Sequence, residues 1–307
     1  MTTALPVVSL ADWTQGTPAQ HHEFVWQVGQ ALEKVGFFVL VDHGLTPDLL
    51  AAAYEQVVGL FALPLAQKQR YAKPEWHGQR GYVSLGQEHA QGHPLPDWKE
   101  FWHIGRTNNL WPQELPDVAP ILTRLYAALD QCAEQLLQAI SLYLDQPLDF
   151  LPNLVRGGDT LLRLAHYPPL PAGLPPGILR AAPHTDINLI TILCGATSEG
   201  LELQQRDGTW WPVPVLPEAL VVDSGDMLQW LTNGLLRSTT HRVMNPTGQN
   251  VSRYSLPFFV HPRPEVELTP LPACVARTGG DARFGRITAG EYLHQRLQEI
   301  GVAAPAT

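Results

Sequence analysis

Three side chains of this sequence could together bind a metal ion. They are His184 and Asp186, which flank Thr185, and His241, which follows much later in the chain. Two imidazoles and one carboxylate form the ligand set that non-haem Fe(II) sites use when oxygen chemistry needs open coordination positions. A structural zinc site would instead be closed by four ligands rich in cysteine. The combination therefore predicts an iron centre with open positions.

The spacing of these residues also predicts the elements that carry them. Side chains two residues apart on a β-strand point to the same face, so we expect His184 and Asp186 to reach one ion from a single strand edge. His241 is expected on a neighbouring strand. A His-x-Asp pattern alone is weak evidence, because the chain has 12 histidines. Two of the others, His103 and His261, are interpreted as hydrogen-bonded polar groups near the core.

Two side chains downstream could bind an organic carboxylate. Arg253 and Ser255 share one face of a predicted strand, where the arginine offers two parallel hydrogen bonds and the serine adds a hydroxyl donor. A buried arginine needs an anion. By itself an internal salt bridge would be the better expectation, but beside an open iron site a bound dicarboxylate is favoured. Tyr167 could donate its hydroxyl to the same molecule.

Four further residues are candidates for contacts with a main substrate. Arg163 shares a strand face with Tyr167, and we hypothesise that it holds an acidic group of the substrate; an internal ion pair is the alternative. Asn188 is an even number of residues from His184 and Asp186, so it is expected on the same strand face as these metal residues. Phe259 is likewise expected on the same face as Arg253 and Ser255. Trp102, within a loop-rich region, is expected to close the mouth of the pocket. For the last three, plain core packing is the competing interpretation.

Composition excludes several classes of protein. The chain has 307 residues, 45% of them hydrophobic and 16% charged, and a net charge of −9, which is ordinary for a globular protein with a large core. The sequence contains no run of Lys and Arg, so binding to nucleic acid or to an anionic membrane is not expected. No GxSxG, GxGxxG or P-loop pattern supports a hydrolase or a nucleotide enzyme.

The cysteines and the N-terminal residues bear on the compartment. Cys132, Cys194 and Cys274 are widely spaced and form no CxxC pair, which fits a reducing environment. No signal peptide or transmembrane helix is recognisable. We therefore expect a cytoplasmic protein.

The pattern of the sequence changes near residue 161. Before it, apolar periodicity predicts helices over 18–35, from 47 onwards and over 117–145, a strand over 37–41, and loops with short strands over 73–116. After it, eight short β-rich runs separated by Pro, Gly and Asp predict a sandwich or jelly roll. These runs are 161–167, 187–194, 201–204, 210–213, 219–223, 227–230, 240–244 and 253–261. A last helix is expected from Thr288, which forms a capping box with Glu291.

Several motifs together resemble the isopenicillin N synthase-like branch of the Fe(II)/2-oxoglutarate-dependent dioxygenases. They follow the order of that family and cover nearly the whole chain. The motifs are GFFVLVDHGL (36–45), LRLAHYPP (162–169), HTDINLITIL (184–193), THRVMNP (240–246) and SRYSLPFF (252–259), with DWKEFWHIG (97–105) similar to a segment of bacterial members.

The resemblance implies a fold and a set of residue roles. The fold is mainly β with flanking helices: a double-stranded β-helix, or jelly-roll, core with an N-terminal helical region and a C-terminal helix. Iron would be held by His184, Asp186 and His241. The C5 carboxylate of 2-oxoglutarate would pair with Arg253 and Ser255, with Tyr167 close by. Where many plant members have an asparagine that contacts the cosubstrate side of the pocket, this chain has Ala165.

The resemblance also implies an activity. Oxidative decarboxylation of 2-oxoglutarate to succinate and CO2 would be coupled, with O2, to oxidation of a small molecule; hydroxylation is favoured over desaturation or cyclisation. Ascorbate is a candidate stimulant. We interpret residues 1–307 as a single domain with four parts. These are a helix and loop support region (1–116), a long backing helix (117–145), a jelly-roll catalytic core (161–262) and a C-terminal extension with a helix (263–307). Residues 78–92 and the C-terminal helix are candidate covers of the pocket.

Two other functions stay open on sequence alone. The first is an iron oxidase that does not use 2-oxoglutarate and closes rings or forms ethylene, with another anion in the arginine site. The second is a non-catalytic ligand-binding or sensor protein, which the intact metal triad disfavours. The identity of the substrate and the oligomeric state are not encoded in any of these motifs.

Overall fold

Twelve β-strands organise the computed structural model, which describes residues 5–216 and 218–301. In chain order the strands are β1 (Val7–Ser9), β2 (Phe37–Val41), β3 (Gly81–Val83), β4 (Glu100–Gly105), β5 (Leu161–Tyr167), β6 (Ala181–His184), β7 (Ile190–Cys194), β8 (Leu201–Gln204), β9 (Trp210–Pro212), β10 (Leu220–Ser224), β11 (His241–Val243) and β12 (Arg253–Val260). They form an eight-stranded sheet, in the order β1-β2-β10-β7-β12-β5-β4-β3, and a four-stranded sheet, in the order β6-β11-β8-β9.

The two sheets form the predicted jelly roll. Neighbouring strands are antiparallel, except that β1 runs parallel to β2. Strands that are distant in sequence pair with each other, as β5 does with β12 and β7 with β10. Side chains from both sheets, including Tyr167 and His241, line one cavity. The sheets therefore enclose a space that can be reached from strands on either side.

The described residues also form helices, at least three of which pack against the larger sheet. In chain order they are α1 (Ala11–Thr14), α2 (Pro18–Lys34), α3 (Pro47–Ala62), α4 (Leu65–Gln69), α5 (Val118–Tyr143), α6 (Phe150–Val155), α7 (Asp226–Leu231), α8 (Pro272–Arg277) and α9 (Ala289–Glu299), with a 3-10 turn at Pro74–Trp76. The long helix α5 buries its apolar stripe, including Leu122, Leu129 and Leu136, in the same core as apolar side chains of the larger sheet. The predicted capping box of Thr288 with Glu291 is present at the start of α9.

One of the predicted strands was wrong, and one strand was not predicted. Residues 227–230 form part of helix α7, in which Met227, Leu228 and Leu231 are buried. A short apolar run is compatible with a buried helical turn as well as with a strand, so periodicity could not decide. Strand β6 was missed because it contains Pro183, and proline is tolerated on edge strands. β6 is an edge strand, pairing only with β11.

Trp102 does not close a pocket mouth, and that prediction was wrong. It lies on β4, which pairs with β5, and its side chain is fully buried in the main hydrophobic core. Its indole N–H donates to the carbonyl oxygen of Leu110 at 3.2 Å. The surrounding glycines, prolines and histidines suggested an exposed loop, whereas the tryptophan itself belongs to a short buried strand.

No helix within residues 5–216 and 218–301 is long and apolar enough to cross a membrane. Cys132, Cys194 and Cys274 are all buried free thiols. The division of the chain into four parts stays a prediction.

Candidate active site

The three predicted metal ligands come together between β6 and β11. His184 ends β6, His241 begins β11, and the two residues are directly paired in the ladder. Nε2 of His241 lies 3.7 Å from Oδ1 of Asp186, and Nε2 of His184 lies 4.0 Å from the same oxygen. One potential ligand atom from each residue lies within 4.8 Å of the others. This spacing suits three ligands that share one ion.

The route by which Asp186 reaches the site differs from the prediction of a single strand edge. Strand β6 ends at His184, so Asp186 lies in the following turn. The backbone N–H of Asp226 donates to the carbonyl oxygen of Asp186 at 2.7 Å and holds this turn at the start of α7. The hydroxyl of Thr191 donates to Oδ2 of Asp186, which leaves Oδ1 directed at the imidazoles. Tertiary contacts, not strand parity, therefore orient the carboxylate.

Both imidazoles are oriented through their Nδ1 atoms. Nδ1 of His184 lies 2.7 Å from the carbonyl oxygen of Ala182, and Nδ1 of His241 lies 3.2 Å from that of Thr239. A proton on Nδ1 can donate to each carbonyl, which leaves the Nε2 lone pair for a metal. Burial and the neighbouring His241 lower the pKa of His184 to about 4. Its imidazole is therefore neutral at neutral pH, as metal coordination requires.

The carboxylate receptor lies in the same cavity as the metal residues. Arg253 is fully buried on β12, directly opposite Tyr167 of β5, and its guanidinium lies 5.0 Å from the tyrosine ring centroid. Nε of Arg253 donates to the carbonyl oxygen of Ser198 at 3.1 Å, but its Nη1 is enclosed without a partner. No carboxylate forms an ion pair with Arg253 anywhere in the described chain.

This arrangement fits an external dicarboxylate. A buried, unpaired guanidinium is costly unless an anion neutralises it. Ser255 also faces the cavity, two residues along β12, and adds a hydroxyl. Ala165, the departure from plant members, lies directly opposite Ser255 and offers no hydrogen-bonding group. The internal salt bridge considered for Arg253 is not what the structure shows.

A second, partly open cavity lies beside the metal residues and has a volume of about 100 Å³. Parts of both predicted covers contribute to its wall, namely residues near Glu88 and the C-terminal helix α9. The two cavities share Lys99, Arg163, His184, Asp186 and Phe259. Two of the metal residues, His184 and Asp186, therefore lie at the junction between the carboxylate receptor and this second cavity.

Of the remaining predicted substrate contacts, Asn188 and Phe259 do line this second cavity. The side-chain amide of Asn188 is already used in a local hydrogen bond, because its Nδ2 donates to the carbonyl oxygen of Ile190. Phe259 follows Arg253 on the same face of β12, as its parity predicted, and presents its ring at the junction of the two cavities.

Arg163 lies on the cavity wall, but its guanidinium is already paired. It donates to both carboxylate oxygens of Glu88 at 2.9 Å and, through Nε, to Nε2 of His103 at 2.8 Å. Burial raises the pKa of Glu88, but Arg163 and Lys99 outweigh burial and hold that pKa well below its usual range. The internal ion pair, left open as the alternative for Arg163, is the arrangement found.

Sequence reasoning missed four residues of this region, Glu88, Asp97, Lys99 and Thr191, and misinterpreted a fifth, His261. The Asp-x-Lys spacing of Asp97 and Lys99, inside a quoted motif, was an available signal. Thr191 lay in another quoted motif without a role. His261 was interpreted as a hydrogen-bonded polar group, and that was wrong, because its imidazole forms no hydrogen bond with any residue that the structure describes. Nothing local indicates such an isolated imidazole.

Known proteins are similar to this chain over nearly its whole length. The model of the 2OG-Fe(II) oxygenase superfamily matches residues 158–262, and that of the N-terminal region of a non-haem dioxygenase in morphine synthesis matches residues 5–120. The proline hydroxylase buaE of Petromyces alliaceus is 31% identical, over 93% of this chain and 96% of its own. Residues 158–262, matched by the superfamily model, contain all three metal residues, and residues 5–120, matched by the N-terminal model, contain the helical support region.

Solved structures show the same architecture. A 2OG-Fe(II) oxygenase family protein from Caulobacter crescentus is 39% identical, with a TM-score of 0.85 over 97% of this chain and 99% of its own. A protein of Neurospora crassa, solved in complex with alpha-KG and thymine, is 26% identical, with a TM-score of 0.86 over 95% of this chain and 96% of its own. This chain belongs to the 2OG-Fe(II) oxygenase superfamily. It is an Fe(II)/2-oxoglutarate-dependent dioxygenase that uses Fe(II), 2-oxoglutarate and O2.

Proposed function

We propose that this enzyme couples oxidative decarboxylation of 2-oxoglutarate to oxidation of a small organic molecule, with hydroxylation favoured over desaturation or cyclisation. The observation that carries the proposal is the buried, unpaired Arg253 in the same cavity as the His184, Asp186 and His241 cluster. A protein that only bound a ligand would not need three convergent metal ligands beside an unpaired cation.

We assign the metal to His184, Asp186 and His241. Iron with 2-oxoglutarate and dioxygen supplies the oxidising power needed to attack an unactivated C–H bond. The two imidazoles keep their Nδ1 protons on backbone carbonyls, and Thr191 holds the second oxygen of Asp186. These contacts hold the ligand atoms in place before any metal arrives, which lowers the cost of ordering them.

We assign the distal carboxylate of 2-oxoglutarate to Arg253 and Ser255. The arginine can grip it through two hydrogen bonds, Ser255 can donate its hydroxyl, and Tyr167 lies against the guanidinium. Phe259 and the covers of the second cavity line the space beside the junction. The enzyme's own contribution is therefore to place two organic molecules on either side of the metal.

Binding of 2-oxoglutarate tests these assignments directly. We expect Arg253→Met to weaken 2-oxoglutarate binding by at least about a hundredfold, because a charge-assisted bidentate contact is lost. The measurement is calorimetry under anaerobic conditions with Fe(II)-loaded protein. Arg286→Met, which removes a mostly exposed arginine paired with Glu267, is the matched control and should bind normally. Equal binding by both variants would remove the assignment.

The alternatives make different predictions for turnover. A 2-oxoglutarate-independent oxidase would consume O2 with its substrate without releasing succinate. A sensor protein would bind 2-oxoglutarate but consume no O2 with Fe(II) and a broad panel of small molecules. Succinate release that depends on added 2-oxoglutarate supports the proposed function. Stimulation by ascorbate can be measured in the same assay.

We also propose a cytoplasmic protein whose partners are small molecules, not nucleic acids or membranes. The three reduced, buried cysteines and the net charge of −9 support this proposal. Fractionation of the source cells would test the location.

A further inference from the structure

The charged side chains that face the second cavity are paired with one another. Lys99 forms ion pairs with Glu88 at 2.6 Å and with Asp97 at 2.7 Å, and Arg163 holds both oxygens of Glu88. Two cations thus face two carboxylates, and this group carries no net charge. A charged substrate entering here would meet no uncompensated partner.

Arg163 is further restrained by stacking. Its guanidinium lies 4.0 Å from the ring centroid of Phe101 and 5.2 Å from that of Phe259. His103 accepts the Nε proton of Arg163 while its own Nδ1 lies 2.6 Å from the carbonyl oxygen of Gly78. Rotating the guanidinium toward a substrate anion would break contacts on all of these sides. The pairing therefore leaves little of Arg163 for recognition of an acid.

The cation on the opposite cover is also compensated. Nη1 of Arg296, on α9, lies 3.0 Å from Glu299, and its Nη2 lies 3.8 Å from Asp226. Nη1 of Arg296 also donates to the side chain of Gln91, on the other cover. Arg296 thus ties the two covers together with its charge already neutralised.

Two side chains of the wall each keep an enclosed nitrogen without a hydrogen-bond partner in the described chain, Arg296 at Nε and the uncharged His261 at Nδ1. His261 directly follows β12, is buried and lines the second cavity. Its Nδ1 is enclosed without a hydrogen-bond partner. Burial lowers the pKa of His261 to about 4, so the ring is neutral at neutral pH and offers one donor and one acceptor. An imidazole in this state gains most from a partner that is polar but uncharged.

We propose that the main substrate of this enzyme is an uncharged molecule with a hydrogen-bonding group, such as an amide, that pairs with the imidazole of His261. This inference rests on the proposed function, because it concerns the same active site. It replaces the hypothesis of an acidic substrate held by Arg163. Burying a carboxylate beside Glu88 would cost desolvation free energy, and each cation of the cavity wall is already paired with a carboxylate of the protein. A neutral amide loses far less on desolvation and satisfies the ring of His261.

Matched pairs of amides and carboxylates test the proposal. The library contains benzamide with benzoate, nicotinamide with nicotinate, and a wider set of neutral fragments, each with its carboxylate analogue. Binding is measured by anaerobic calorimetry on protein loaded with Fe(II) and 2-oxoglutarate. We expect amides to bind at least about tenfold more tightly than their acids, as expected from the loss of one buried hydrogen bond or more.

Variants of His261 separate recognition from packing. His261→Phe keeps a ring but loses both nitrogens, and it should weaken amide binding about tenfold. His261→Gln keeps a donor and an acceptor and should retain most of the binding. Glu88→Gln removes one negative charge beside Arg163 and should shift the preference toward carboxylates. Because 2-oxoglutarate binding is measured first on each variant, misfolded protein is recognised before any fragment is added.

The outcomes are distinct. If no neutral fragment binds the native protein more tightly than its carboxylate analogue, the proposal is wrong. It is also wrong if His261→Phe binds the amides as tightly as the native protein does. Failure of the native protein to bind 2-oxoglutarate would instead count against the proposed function, whatever the fragments do.

Discussion

The hydroxyl of Thr191, on β7, donates to Oδ2 of Asp186, and the other oxygen of this carboxylate faces the imidazoles of the metal cluster. Thr191 is itself buried, and its hydroxyl oxygen lies 3.2 Å from Nδ2 of Asn188. Its position in the larger sheet connects the core of the jelly roll to the metal centre. Thr191 lies only five residues after Asp186 in sequence. The orientation of the carboxylate nevertheless depends on how the turn that carries Asp186 packs against β7.

Loss of this hydroxyl should weaken metal binding. Thr191→Val keeps the shape of the side chain but cannot donate to Asp186, and we expect Fe(II) affinity to fall about tenfold or more. Anaerobic titration with Fe(II) is the measurement. Thr191→Ser, which keeps the hydroxyl, should bind nearly normally. Equal affinity in native and Val proteins would show that the bond does not orient Asp186.

The geometry of the cation in the carboxylate receptor should matter as well as its charge. Arg253→Lys keeps a positive charge but loses the planar fork that can bind two oxygens, so we expect the Kd for 2-oxoglutarate to rise about tenfold or more. The Kd for Fe(II) should stay within about twofold, because Arg253 is not one of the three clustered ligands. Calorimetry with each ligand in turn separates the two effects. A parallel loss of Fe(II) affinity would indicate a general structural defect.

The pairing of Arg163 with Glu88 should be visible as a stability effect. Arg163→Met leaves a buried carboxylate with Lys99 as its remaining cation partner, and we expect the free energy of unfolding to fall by about 3 kcal/mol. Urea unfolding of metal-free protein measures the change. In the double variant Arg163→Met with Glu88→Gln, the loss should be smaller than the sum of the two single losses. Additive losses would mean that the two side chains act independently.

His261 should contribute to the pH dependence of stability. Burial lowers its pKa to about 4 in the folded protein, whereas a histidine in an unfolded chain titrates near about 6.5. Between these values the unfolded chain binds a proton here and the folded protein does not. The free energy of unfolding therefore falls as the pH decreases through this window.

Replacement of the ring removes that contribution. In His261→Phe, the loss of stability between pH 6.5 and pH 5 should be about 1.5 kcal/mol smaller than in the native protein. Urea unfolding of the metal-free forms at both pH values gives the two differences. An identical pH dependence in the two proteins would show that His261 titrates normally when folded.

Local spacing in the sequence was sufficient to predict most of the candidate active site. The ligand set of His184, Asp186 and His241 follows from residue type, and the shared face of Arg253 and Ser255 follows from the two-residue period of a strand. The long helix α5 and the capping box of Thr288 are similarly local signals. Such features depend on neighbours in the chain, so they can be recognised without knowing how distant segments meet.

Residue types and their spacing along the chain predict the candidate metal ligands, the carboxylate receptor and the order of most strands that carry them. The three-dimensional contacts were needed to show that Arg163 pairs with Glu88, that Trp102 belongs to the core, and that Nδ1 of His261 has no partner in the described protein. Whether a buried charge or ring can bind a ligand depends on whether side chains from distant segments already pair with it. Those pairings follow from packing in three dimensions and cannot be recognised from spacing along the chain.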